Sequence, residues 1–379
     1  MTTLEGLLPG IVDAHVHYFN PTRSSWALAR FERLSRLPMQ RFVPPPILWF
    51  ASKFSTGDDG RLGLDPSVLR SAYELASYAH DADALYAVAG VGVRSVVSIE
   101  AHWRAMKSPE ALMDSSYDEL KYVLALPHGR SGPDLGATVS AVDPRHRDFA
   151  RQLDRQLALS DKIRGVRFKW AQHPDPEIPD WCDEPDAVAS TSFLNGFEAI
   201  AERDLTFVSF AYSHQLGQLD MLARRFPETT IVIEHLGMPA GVFGPTGART
   251  GMTAAARAEI LGLWRERIAM IAQRPNVVIK VSGLGLSNLG YGLETAGNIG
   301  TRAVLADMIG PLVLHAVDRF GPDRVVFGSD SPIDRPNSTI DMSVGALLDV
   351  LGDRGPYLLQ QLFARNAERI YGVPAPPSN

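Results

Sequence analysis

A chain of 379 residues, 45% hydrophobic and 21% charged, can bury a large core, which excludes disorder along its length. Its formal net charge is −6 and no run of Lys or Arg is long enough to track phosphates, so nucleic acid and anionic membrane are excluded as partners and a small molecule is left. The single cysteine, Cys182, excludes an intrachain disulfide.

The opening MTTLEGLLPG lacks a basic n-region and a long apolar core, and no segment offers about 18 uninterrupted apolar residues. A cytoplasmic protein is expected, with a homodimer as the default assembly.

Short apolar runs rich in Val and Ile alternate with segments of helical period, the pattern of repeated βα units around a parallel sheet. The first run is IVDAHVH from Ile11. Residues 18–93 then break the repeat with Pro44, Pro45, Pro46 and the turn-rich STGDDGRLGLDP, and are expected to form an insertion or cap. RSVVSIE from Arg94, the helix SYDELKYVLAL, LGATVSAV from Leu135, the helix HRDFARQLDRQLAL and IRGVRFKW from Ile163 resume it. Residues 171–190 form a second break, rich in proline, expected as a lid over the substrate.

The helix TSFLNGFEAIAER, LTFVSFA from Leu205, the helix QLGQLDMLARRF and TIVIEHLG from Thr230 follow. Next come TAAARAEILGLWRERIAMIAQ, NVVIKVSG from Asn276, RAVLADMIGPLVLHAVDRF, RVVFGSD from Arg324 and the closing helix GPYLLQQLFARNAERIYG. Eight strands with helices between them predict an α/β fold: a single (β/α)8 TIM barrel over residues 1–379, with a long insertion after strand 1 and a C-terminal helix.

In such a barrel, chemistry collects at the C-terminal ends of the strands. Alternation along IVDAHVH turns His15 and His17 to the mouth, while Val12, Ala14 and Val16 pack against the outer helices. Two imidazoles so placed can hold one borderline cation such as zinc, or can be two histidines satisfied by hydrogen bonds. Asp13, deeper on the same face, is read as an orienting or structural partner rather than a ligand.

Asp330 ends the last strand, beside the first after closure, where a carboxylate can take a proton from water, bind the cation, or serve as a turn-former. His235 ends strand 6 as a ligand or a donor to substrate oxygen, with Glu234 facing the opposite way. Glu100 ends strand 2 as a further metal ligand or an ion-pair partner. Arg167 and Lys169 share a face of strand 4, suited to a carboxylated or polyoxygenated substrate or to an internal pair with Glu100 or Asp330. His214 follows strand 5 as a substrate contact or a helix residue. SGLGLSNLG misses the dinucleotide spacing, no G-x-S-x-G nucleophile elbow occurs, and Cys182 has no placed base.

The order IVDAHVH, SIEAHW, IRGVRF, IVIEHLGMP, RVVFGSDSP and NAERIYG resembles the amidohydrolase superfamily, within it the amidohydrolase-related (amidohydrolase 2) group of sugar-acid and dicarboxylate lactonases and decarboxylases. The resemblance covers most of the chain apart from residues 18–93, and HLGMP is most similar to the lactonase branch. It implies His15 and His17 at the metal or substrate site, His235 as an oxygen-polarising group and Asp330 as general base. It implies a divalent metal, zinc by preference, with a metal-free mechanism as the alternative, because some lactonases of that branch work without metal. The expected function is hydrolysis of a lactone of a carboxylated or polyhydroxylated small molecule. The alternatives are a metal-dependent decarboxylase of an unsaturated or aromatic acid and a barrel that binds without catalysis.

Overall fold

Eight parallel strands form one sheet in the order β1 to β8, each paired with the next in sequence. They are β1 (Ile11–Val16), β2 (Val93–Ile99), β3 (Asp134–Ala141), β4 (Ile163–Lys169), β5 (Thr206–Phe210), β6 (Ile231–Ile233), β7 (Val277–Val281) and β8 (Val325–Phe327). The computed structural model describes residues 2–20, 23, 68, 71–101, 109–292 and 299–375. β5 and β7 are buried at every position, as strands covered on both faces must be, which is why they read as apolar runs without alternation.

The barrel closes between its first and last strands. Asp330 N–H donates to His15 O at 2.9 Å, His17 N–H to Ser331 O at 2.9 Å, and Ser329 N–H to the Asp13 carboxylate at 2.8 Å.

The outer ring consists of α1 (Leu75–Ala82), α2 (Leu85–Ala89), α3 (Pro109–Leu124), α4 (Phe149–Leu157), α5 (Thr191–Ala201), α6 (Leu216–Arg225), α7 (Ala254–Ile271), α8 (Arg302–Phe320) and α9 (Ile340–Leu351). Hydroxyl N-caps fix the starts of three of them: Ser190 for α5, Thr253 for α7 and Thr301 for α8. The expected final helix is divided into α10 (Pro356–Gln360), a π-helical turn (Gln361–Arg365) and α11 (Asn366–Tyr371). This segment covers the N-terminal end of the barrel: Asn366 Nδ2 donates to Val325 O at the start of β8, and Thr206 at the start of β5 donates to Ile370 O.

The helix order differs from the sequence expectation in two places. α1 and α2 lie within residues 18–93, so the end of that segment is an ordinary part of the helix ring. The cap assigned to the rest of it falls mostly on residues 21–22, 24–67 and 69–70, which lie outside those described. α9 breaks the expected order because its core-facing residues include Ile340, Val344, Ala346, Leu347, Leu348 and Leu351, leaving no polar stripe to reveal a helical period.

The 171–190 segment, expected as a lid, is tied down. The buried Asp175 carboxylate accepts from the backbone N–H groups of Ala248, Arg249 and Thr250 at 2.8–3.1 Å, anchoring the segment to the loop after β6.

Candidate active site

β1 carries one residue more than its partner between two paired positions: Asp13 faces Val96 while Val16 faces Ser98. This bulge breaks strict alternation and takes Asp13 out of the face that holds the imidazoles. Its Oδ2 accepts from Tyr78 of α1 at 2.7 Å, and its Oδ1 accepts from the backbone N–H of Ser329 at 2.8 Å and of His15 at 3.1 Å. Asp13 thus clips β1, β8 and the helix ring together, a structural role.

His15, His17 and Asp330 converge at the mouth. His15 Nε2 and His17 Nε2 lie 3.1 Å apart, and each lies 3.2 Å from Asp330 Oδ1. The second nitrogen of each ring sets its orientation. His17 Nδ1 lies 2.9 Å from Glu100 O and 3.1 Å from Ile99 O; only carbonyls face it, so it carries the proton and Nε2 presents its lone pair. His15 Nδ1 lies 3.2 Å from Glu234 Oε1, to which it can donate, and 3.3 Å from the Lys280 ammonium, which can only donate to it; donation from Nδ1 to the carboxylate is the arrangement that frees Nε2.

Burial, followed by the charge of Lys280, pushes the His15 imidazole far down in pKa, which keeps it neutral. Burial opposes charge on Asp330, yet the imidazoles of His235 and His17 and the Arg167 guanidinium hold its carboxyl below the usual range.

Three lone-pair atoms this close in a dry pocket repel unless a cation stands among them. Ligands at about 2.0–2.2 Å from one zinc ion stand about 3 Å or a little more from each other, the spacing found here. Two imidazole nitrogens and a carboxylate oxygen form a donor set that suits zinc. The group fits.

A second set adjoins the first through His15 and comprises His15, Glu234 and His235. The expectation that Glu234 faces away from His235 is corrected. β6 ends at Ile233, and His235 (φ 52°) and Leu236 (φ 54°) adopt left-handed backbone, so alternation no longer applies and both side chains reach His15. Asp330, also left-handed at φ 56°, is turned inward in the same way beyond β8. Close packing requires glycine at 283: a Cβ there would lie 2.5 Å from His235 Nδ1.

Below the imidazoles lies an ion network that the sequence only partly revealed. Glu234 accepts from Arg167 Nε at 2.7 Å and lies 3.5 Å from Lys280 Nζ; Lys280 is fully buried, 3.3 Å from His15 Nδ1. Glu100 Oε1 lies 2.8 Å from Arg167 and 2.5 Å from Lys169. The Glu100 carboxylate is therefore engaged by two cations and joins neither ligand group, while its backbone carbonyl holds His17. Arg167 likewise spans two carboxylates, the internal pairing, instead of standing free for substrate.

Lys169 keeps a position at the mouth, its ammonium 5.5 Å from the Trp181 ring centre, and Trp181 packs on Phe210, which packs on His235. The His214 ring meets His173 and Tyr212 rather than the barrel imidazoles. The Cys182 thiol is pushed up to about 11 by burial and is no nucleophile at neutral pH.

Glu234, Lys280 and Ser282 were missed from sequence. Lys280 and Ser282 did leave a signal: they sit two apart in NVVIKVSG, a polar pair on one face of an otherwise apolar strand.

The family model described as amidohydrolase matches residues 12–373. The chain belongs to the amidohydrolase family. A protein of Sinorhizobium fredii whose function is uncharacterised is 28% identical over 235 residues, 62% of this chain and 69% of that protein. An L-fucono-1,5-lactonase of Burkholderia ambifaria is 28% identical over 247 residues, 64% of this chain and 72% of the lactonase. Among solved structures, an amidohydrolase from Burkholderia multivorans superposes in two crystal forms at 20% identity. The form with bound HEPES gives a TM-score of 0.66 and the form with bound zinc 0.63, each covering 96% of this chain and 100% of the other. That likeness confirms the barrel. No helix among the described residues is long and apolar enough to cross a membrane.

Proposed function

We propose that this amidohydrolase opens the ring of a lactone of a carboxylated or polyhydroxylated small molecule. The observation that carries the reading is the convergence of His15 Nε2, His17 Nε2 and Asp330 Oδ1 within 3.2 Å, with His235 Nδ1 4.0 Å from the other oxygen of Asp330. The lactonase-named relative in the same family supports the choice of substrate.

A divalent cation, zinc by preference, would be held by His15, His17 and Asp330, and when bound supplies Lewis-acid polarisation of a carbonyl oxygen or of water. Asp330, kept ionised, takes a proton from the attacking water. The water oxygen bonds to the lactone carbonyl carbon, the ring C–O bond breaks, and the departing ring oxygen takes the proton back from Asp330, leaving a hydroxy acid. His235 donates a hydrogen bond to the carbonyl oxygen as it gains charge. Arg167 spans Glu100 and Glu234; the anionic or hydroxylated part of the substrate is assigned to Lys169 beside Trp181, whose ammonium also pairs with Glu100 at 2.5 Å.

The test is a panel of sugar-acid and dicarboxylate lactones assayed by acid release, with evolved CO₂ measured in parallel on unsaturated and aromatic acids and zinc determined on the purified protein. Acid release without CO₂ supports the reading. CO₂ release would move the chemistry to decarboxylation, and binding without turnover by protein loaded with zinc would reduce the barrel to a binding protein.

A further inference from the structure

His235 acts on substrate oxygen only if its Nε2 carries a proton, and a neutral imidazole has one proton for two nitrogens. The surroundings of Nδ1 decide between them. Ser282, just beyond β7 and 1% exposed, places its Oγ 3.0 Å from His235 Nδ1 and 3.3 Å from the His235 backbone nitrogen. Those are its only side-chain partners among the described residues.

The backbone N–H can only donate, so it occupies one lone pair of Oγ. Were Nδ1 also to donate, the Ser282 hydroxyl hydrogen would be buried with no acceptor, which costs on the order of 1–3 kcal/mol. Donation from the hydroxyl to Nδ1 satisfies every group.

We infer that Ser282 is a positioning residue that fixes the tautomer of His235: its hydroxyl donates to Nδ1, so Nε2 bears the proton and points a donor at the substrate oxygen. Three further observations agree. His235 Nε2 has no partner among the described residues, yet it is not sealed within the protein. Gly283 lets the chain pass beneath the ring, which rests between His15 (centroids 4.8 Å) and Phe210 (5.7 Å), contacts that favour the orientation with Nδ1 towards Ser282. Lys280, two residues before Ser282, already places an ammonium beside His15 and Glu234, supplying positive charge to the second ligand set. Within that set His235 thereby serves as a hydrogen-bond donor rather than as a ligand of a second metal.

The inference deepens the proposed role of His235, but its test needs no substrate. Long-range proton–nitrogen correlation spectra of protein labelled with nitrogen-15 histidine report which ring nitrogen is protonated, and a His235→Asn variant identifies the signals. The expected wild-type pattern is a protonated Nε2 and an unprotonated Nδ1. Ser282→Ala should raise the Nδ1-protonated form, and Ser282→Thr, which retains the hydroxyl, should restore the wild-type pattern and controls for folding. Given a lactone substrate, Ser282→Ala should lower kcat about tenfold or more with little change in KM. A protonated Nδ1 in the wild type, or a Ser282→Ala spectrum identical to wild type, overturns the assignment even if lactone hydrolysis stands. Conversely, loss of the lactonase reading leaves the tautomer result intact.

Discussion

His17 Nε2 and Asp330 Oδ1 lie 3.2 Å apart although 313 residues separate them in the chain. The contact exists because β1 and β8 are adjacent only in the closed barrel, and it joins a nitrogen lone pair to the carboxylate proposed as general base.

Asp330→Asn keeps the volume and removes the charge. Hydrolysis should fall by about 10²–10⁴-fold, the usual range for losing a positioned acid or base. Circular dichroism should be unchanged. Turnover near wild type would take Asp330 out of the reaction.

Glu234→Gln leaves Arg167 and Lys280 sharing a buried site without their common carboxylate. Breaking one member of such a network typically costs about 3–5 kcal/mol, to be read as a lower urea midpoint at constant m-value. A loss below about 1 kcal/mol would show that the two cations find other partners.

Gly283→Ala forces a side chain into left-handed backbone (φ 64°) and against His235 Nδ1. The backbone alone costs about 1–2 kcal/mol, and displacement of the imidazole should reduce kcat by more than the lost stability explains. Thermal melts alongside kinetics separate the two effects. Unchanged kinetics would mean that the ring has room to retreat.

Alkaline pH should first stabilise the protein and then destabilise it. Burial lowers Lys169 and Lys280 to about 8 from 10.5, so between those values the unfolded chain binds more protons than the folded one and stability rises with pH. Burial raises Cys182 to about 11 and pushes up Tyr18, Tyr78 and Tyr371; from pH 9 to 10 upward these groups hold protons in the fold that the unfolded chain releases, and the sign reverses. Urea midpoints from pH 7 to 11 should pass through a maximum near 9. A steady decline from pH 7 would contradict the two lysine shifts.

All eight strands were legible because a strand buried on both faces reads as a short, largely apolar run. His15, His17, His235 and Asp330 were legible because polar residues at strand ends stand out against those runs. α9 was not, since a helix buried on most sides carries no periodic polar signal. Glu234 was misplaced by applying strand alternation one residue too far: the left-handed turn at His235 is a backbone choice that residue type does not announce. Arg167 could be placed on its face from sequence, but its partner could not, because the choice between substrate and Glu100 or Glu234 is fixed by distances across the barrel.

Asp330 N–H to His15 O, His17 N–H to Ser331 O and Ser329 N–H to Asp13 form the seam between the earliest and latest strands. During synthesis, the ribosome releases His15 and His17 long before their carboxylate partner emerges. A nascent chain therefore holds only a loose imidazole pair, and the assembled donor set appears in the same event that completes the barrel. Capture of metal at this site would then report that folding has finished.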